Sequence, residues 1–249
     1  MSPDTFELKK PEYLQMIHDG ERLYGCDQAW YQSRWRRKSG CGPTTATNLL
    51  IYLNKQNGHL GLPYGNVNIR QACRAMDDVF RYVRPSPLGL FSTRLFAKGL
   101  EYLADFYGLH YKVNMLTIPA LRTVRPNFSD VLRFIEDGIC ADAPVAFFNL
   151  HAGRVTEVES LHWVTLVKIS QPQSTGEVPV TLYDNSKQTG MDIAQWFTTT
   201  SMGGGFVYLS DAVRCKPLLN SVPNAGIKVA SVTHKCSSEG DSPGRCRSV

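Results

Sequence analysis

The 249-residue sequence has no apolar run approaching the ~20 residues that a membrane-spanning helix needs, which argues against a helical anchor. Its first ten residues are polar, with Pro3, Asp4 and Glu7, and lack the basic-then-apolar pattern of a secretion signal. No CxxC and no Cys/His finger spacing occurs, so neither structural zinc nor another metal is expected. The triple glycine Gly203-Gly204-Gly205 lacks the lysine and following helix of a phosphate loop and reads as a loop entering a strand. No internal repeat and no cofactor motif is visible, so no cofactor is expected. Charge is also sparse: the net excess is only +5, with a single cluster at Arg34, Arg36, Arg37 and Lys38. That balance gives no basis for nucleic-acid binding. The seven cysteines are an odd, scattered set. Without a signal segment they fit a reducing cytoplasm.

What is present is ordinary for a globular chain, with 43% hydrophobic and 20% charged residues. Residues 1–38 form a polar, aromatic-rich lead-in that should pack on the body, with a helix expected around Pro11–Arg22. Residues 39–215 form the main domain. Residues 216–249, rich in Ser, Gly, Pro, Lys and Arg near their end, read as a mobile tail.

Within the main domain, helical patterns come first. One runs over 43–56 and stops at Asn57-Gly58. A loop with Gly61, Pro63 and Gly65 follows, then a helix over 68–83. A third is capped by Ser92 or Thr93 and ends at Gly108; a fourth, capped by Asn127 or Ser129, ends at Gly138. A short strand is expected at 110–113. After Pro144 the character changes to strands at 145–150, 161–169, 178–184 and 205–209, with one short helix at 192–198. Helices segregated ahead of strands predict an α+β fold with an antiparallel sheet.

The chemistry concentrates at Ser39-Gly40-Cys41-Gly42-Pro43-Thr44, a small-residue turn opening the first of these helices. Pro43 fits a first helical turn, where its missing N–H lacks an intrahelical partner anyway. Cys41 therefore sits at a helix N-terminus, whose unpaired N–H groups and dipole favour a thiolate, the nucleophilic form of the thiol. The flanking glycines read as room for a substrate backbone to approach. A buried packing cysteine would fit this stretch as well.

His162 opens an apolar strand, sharing a face with Val164 and Leu166. The next strand ends in Asp184-Asn185, with Val180, Leu182 and Asp184 on one face. Two antiparallel strands joined by a hairpin bring His162 and Asp184 to the same end of the sheet, where a carboxylate could orient the imidazole and stabilise its protonated form. Cys41 placed against that end would complete a Cys–His–Asp set.

The ordered motifs Gly40-Cys41-Gly42-Pro43-Thr44, Leu161-His162-Trp163-Val164 and Tyr183-Asp184-Asn185 resemble the papain-like cysteine peptidases, and more narrowly the peptidase domains that cut double-glycine leaders from bacteriocin precursors. The resemblance spans about residues 30–210 and is sharp at the three motifs. It implies a papain-like fold, Cys41 as nucleophile, His162 as general base then acid, and Asp184 as orienting residue. It implies a peptide or other amide as substrate. Trp163, Arg36 and Arg37 become candidate substrate contacts, and the basic run would suit acidic side chains. The family carries an oxyanion-hole Gln six residues before its Cys; here that position is Trp35, with Gln32 nine and Gln28 thirteen residues ahead. Gln32 is the candidate replacement. Three activities share such a site: amide hydrolysis, acyl transfer or deamidation through the same thioester, and peptide binding without turnover, which Trp35 favours.

Overall fold

The computed structural model describes residues 5–58, 68–87 and 89–211. The expected loop with Gly61, Pro63 and Gly65 and the expected tail at 216–249 lie outside the described residues.

Among the described residues nine strands form, seven in one antiparallel sheet and two in a separate hairpin. They are β1 (Thr5–Glu7), β2 (Gln15–His18), β3 (Glu21–Tyr24), β4 (Tyr111–Ile118), β5 (Val145–Asn149), β6 (His162–Ser170), β7 (Pro179–Asp184), β8 (Lys187–Asp192) and β9 (Gly204–Asp211). The main sheet runs β4-β9-β5-β6-β7-β8, and β1 pairs with β6 beyond the end of β5. Six helices accompany it: α1 (Arg34–Ser39), α2 (Cys41–Asn57), α3 (Ile69–Val79), α4 (Thr93–Tyr107), α5 (Phe128–Cys140) and α6 (Ile193–Thr199). This is an α+β architecture, as the segregated pattern predicts.

The two faces of the sheet are covered differently. Trp163 stacks on Phe96 of α4 at 4.2 Å, and Thr165 is bonded by Asn48 of α2, so these alternate residues face α2 and α4. On the opposite face, Val145 lies against Gly138 of α5 and Phe147 meets Trp196 of α6 at 4.7 Å. Every residue of α2 from Cys41 to Asn54 is buried, as expected of a central helix enclosed on all sides. Gly58, at φ 63°, closes it in the left-handed conformation that glycine adopts without penalty. Among the described residues no helix is long and apolar enough to cross a membrane.

Three local expectations are corrected. The lead-in has no helix over Pro11–Arg22; a single 3-10 turn at Pro11–Leu14 runs into the β2–β3 hairpin. Its turn residues Asp19 and Gly20 have φ values of 49° and 81°, and Asp-Gly is a strong signal for the tight turn that matches strand twist. The basic run, which as a cluster of exposed charges reads as a solvated loop, is instead helix α1, capped by the Ser33 side chain accepting from the Arg36 N–H. The strand after α4 is eight residues long and joins the sheet edge, because its pairing with β9 extends from Tyr111 to Ile118.

Candidate active site

Gly40 ends α1 and caps α2, so the two helices meet at one residue and Cys41 is the first residue of α2. Both neighbouring glycines are there for packing, not for substrate access. A Cβ on Gly40 would fall on the Arg36 carbonyl and lie 2.5 Å from the Tyr31 ring; one on Gly42 would lie 2.7 Å from Leu90.

His162 begins β6 and Asp184 ends β7, at the same end of the sheet. His162 Nε2 and Asp184 Oδ1 are 2.7 Å apart. The imidazole is 5% exposed. With Nε2 committed to the carboxylate, the other ring nitrogen is left for Cys41, which lines the same cavity as the ring. Burial alone would pull the imidazole down, but the hydrogen bond to Asp184 and the neighbouring Asp184 and Cys41 outweigh it and raise His162 from 6.5 to about 10. The ring therefore holds its proton across the neutral range. Cys41, His162 and Asp184 line one small cavity of about 10 Å³.

Other residues of this cavity carry no sequence signal of chemistry. Thr44, Thr45 and Asn48 of α2 form its floor with Tyr183 and Asn185. Asn48 accepts from the Cys26 N–H at 2.8 Å and donates to the Thr165 hydroxyl at 2.9 Å, tying lead-in, helix and sheet together. Their common origin was legible only as helical spacing from Cys41. Cys26 also borders the cavity, but burial, with Cys73 and Asp27 adding to it, pushes its thiol well above the ordinary value, unlike that of a reactive cysteine.

The lead-in braces the Asp184 end of β7. The Tyr24 N–H donates to the Ser186 carbonyl at 2.9 Å, Ser186 Oγ donates to Asp27 Oδ2 at 3.3 Å, and Tyr24 and Tyr183 rings lie 5.2 Å apart. Asn185 and Ser186, at φ 46° and 62°, form the two-residue turn into β8.

Of the residues singled out from the sequence, Gln32, Arg36 and Arg37 lie apart from this cavity, while Trp163 lines it from the core. Gln32 is exposed and borders a separate hollow with Ser33, Arg36, Asp77 and Arg81. Arg36 is held there, 2.6 Å from Asp77 and over the Phe80 ring at 4.5 Å. Arg37 donates to the carbonyls of Tyr31 and Gln32 at 2.8 and 2.7 Å. Trp163 is a core residue, 1% exposed, its ring between Phe96 and Phe148 at 4.2 and 4.6 Å. Strand alternation explains this, because the residue after His162 must point to the other face. Trp35, at the position of the family's glutamine, packs edge-on against Phe80 at 5.5 Å.

Among the described residues no cluster of His, Cys, Asp or Glu could hold a metal. No known family matches this sequence. No curated protein matches it either. Among solved structures the chain is similar to UfSP from C. elegans, with 10% identity and a TM-score of 0.49. That match covers 84% of this chain and 35% of the other, so this chain spans well under half of that protein's length.

Proposed function

We propose that this protein is a cysteine-dependent hydrolase of peptide or other amide bonds with a papain-like fold. One observation carries the reading: a cysteine on the first residue of a buried helix lines the same cavity as a histidine that is itself paired with a carboxylate at 2.7 Å. Each part has a defined task. The Cys41 thiolate attacks the amide carbonyl carbon and forms the C–S bond. The Cys41 backbone N–H, without an intrahelical acceptor at the first helical position, is a donor for the developing oxyanion. His162, protonated beside Asp184, gives its proton to the leaving amine as the C–N bond breaks. A water then attacks the thioester, His162 takes its proton, and the acid leaves with Cys41 restored.

The motif resemblance to double-glycine-leader peptidases supports a peptide substrate. An amine in place of water would make the same site a transferase, and a side-chain amide would make it a deamidase. The second reading is peptide binding without turnover, favoured by Trp35 lying against Phe80 where the family places its oxyanion glutamine.

Site-resolved alkylation of Cys41 with iodoacetamide across pH 5–11, read by mass spectrometry, tests the nucleophile. A thiolate paired with a protonated histidine reacts well below the ~8.5 of a free thiol. A Cys41 profile matching a free thiol would sink the hydrolase reading. Accumulation of an acyl-thioester on Cys41 from an activated peptide ester then separates turnover from binding.

A further inference from the structure

We infer that Asn149 is the positioning residue for His162, holding the start of β6 through a buried two-way hydrogen-bonded clamp. This rests on the hydrolase reading of the site, which makes the placement of His162 matter.

Asn149 ends β5 and stands directly opposite His162 in the β5–β6 register. Residues so paired lie on one face of the sheet with Cβ atoms ~5 Å apart. The Asn149 side chain is 0% exposed and uses both ends of its amide. Its Oδ1 accepts from the Trp196 indole N–H at 2.9 Å, and its Nδ2 donates to the Glu159 carbonyl at 2.7 Å. Asp would lose the donor, Leu would lose both functions, and only an amide makes both bonds in this volume.

The second bond acts on the segment that delivers His162. Glu159 lies two residues before Leu161, whose φ is 60°. A leucine in the left-handed region is strained and persists only where its surroundings hold it there. Leu161 is 60% exposed, so its own packing is a poor restraint. The Asn149–Glu159 bond fixes the chain just ahead of that residue, and the Trp196 bond fixes Asn149 to α6, whose indole is itself 0% exposed. Two further ties hold the same segment: the Ala152 N–H donates to Ser160 Oγ at 2.9 Å, and the Arg154 N–H donates to Thr199 Oγ1 at 2.9 Å. The clamp thus connects α6 to the chain three residues before His162 without touching the reacting atoms.

The titration of His162, followed by its ring-nitrogen NMR shifts from pH 6 to 11, tests this in Asn149→Ala and Trp196→Phe. The groups facing the ring are Asp184 and Cys41, and neither variant changes a charge. A loosened His162 loses part of what Asp184 supplies. The midpoint, expected at about 10 in the native protein, should fall by at least about one unit in Asn149→Ala and by less in Trp196→Phe. Cys41 alkylation at pH 7 should fall about tenfold in the same order. A merely structural asparagine would lower the melting temperature and leave the midpoint in place, which overturns the proposal. If Asn149→Ala fails to fold, the Trp196→Phe midpoint decides alone. The hydrolase reading fails separately: a native Cys41 alkylating as a free thiol while Asn149→Ala still moves the His162 midpoint removes the enzyme and keeps the clamp.

Discussion

His162 Nε2 and Asp184 Oδ1 stand 2.7 Å apart because β6 carries one extra residue between Leu166 and Lys168. On the far side of that bulge Lys168 pairs with Thr181 and Ile169 with Val180; on the near side Leu166 pairs with Leu182 and Thr165 with Tyr183. Continued toward the sheet end, the near register sets Asp184 opposite Val164 and diagonal to His162, on its face. The far register, continued without a bulge, would set Asp184 opposite Thr165 and so on the other face, since a one-residue slip reverses every side chain. The extra residue is Val167, whose carbonyl accepts from the Leu8 N–H at 3.1 Å. The N-terminal strand therefore stabilises the irregularity that aligns the pair.

Asp184→Asn should keep the ring oriented and lose the charge. The folded-state proton affinity of His162 is raised from 6.5 to about 10. Its contribution to stability is therefore fully present below pH 6.5 and is lost as pH rises through about 10. Chemical denaturation should show native protein more stable than Asp184→Asn at pH 6, with the gap closing by pH 11. Asp184→Ala, which leaves the protonated ring buried without a partner, should lose about 3–5 kcal/mol at pH 7.

Cys41→Ala should abolish alkylation at this position and any amide hydrolysis, with the fold intact. Cys41 is 8% exposed and its truncation removes a single sulfur, so the change in unfolding free energy should stay near ~1 kcal/mol. Circular dichroism and a urea melt check the fold, and a chromogenic amide panel checks turnover. Residual turnover in this variant would point to a different nucleophile.

The two glycines beside Cys41 should differ. Gly40→Ala drives a Cβ into the backbone of α1 and the Tyr31 ring, which cannot move independently, and should cost about 1–3 kcal/mol and slow Cys41 alkylation. Gly42→Ala meets only the Leu90 side chain, its Cδ2 at 2.7 Å and its Cβ at 3.2 Å, and no backbone, and should cost less. Equal losses in the two urea melts would contradict this packing account.

Neutralising Arg36, Arg37 and Lys38 together should leave the pH profile of Cys41 alkylation unchanged. Arg36 is engaged by Asp77 and Phe80, and Arg37 by two carbonyls, so neither guanidinium is available to the thiolate. Stability should fall by ~1 kcal/mol or less, the usual worth of partly exposed pairs. A salt-dependent rise in the alkylation midpoint would show that the basic helix does reach the cleft.

Trp35→Gln, which places at this position the residue type of the peptidases that the motifs resemble, should not raise turnover. The side chain at 35 lies on α1 over Phe80. A gain of tenfold or more in amide hydrolysis would show that α1 can rearrange to supply an oxyanion donor.

The sequence by itself determined the elements whose signals are local. Gly58 and Gly108 closed α2 and α4, Ser92 and Asp192 capped α4 and α6, and apolar runs marked β5, β6 and β7. Helix starts and strand ends also marked Cys41, His162 and Asp184, because a cysteine at a helix mouth and polar residues at strand termini break an apolar pattern. The Asp19-Gly20 hairpin was readable too, but a helix-like spacing of apolar residues from Pro11 onward competed with it. Only the tertiary structure decided the rest, since each outcome depends on contacts remote in sequence. Gly40 and Gly42 proved to be packing residues because Tyr31 and Leu90 fold back onto them. Trp163 went to the core, Gln32 and the arginines to the outer surface of α1, and Asn48 and Asn149 to buried junctions between elements. The pairing of His162 with Asp184 belongs to this second group. The two residues lie 22 positions apart, and which face each occupies was set by the bulge at Val167, a register choice that no local pattern encodes.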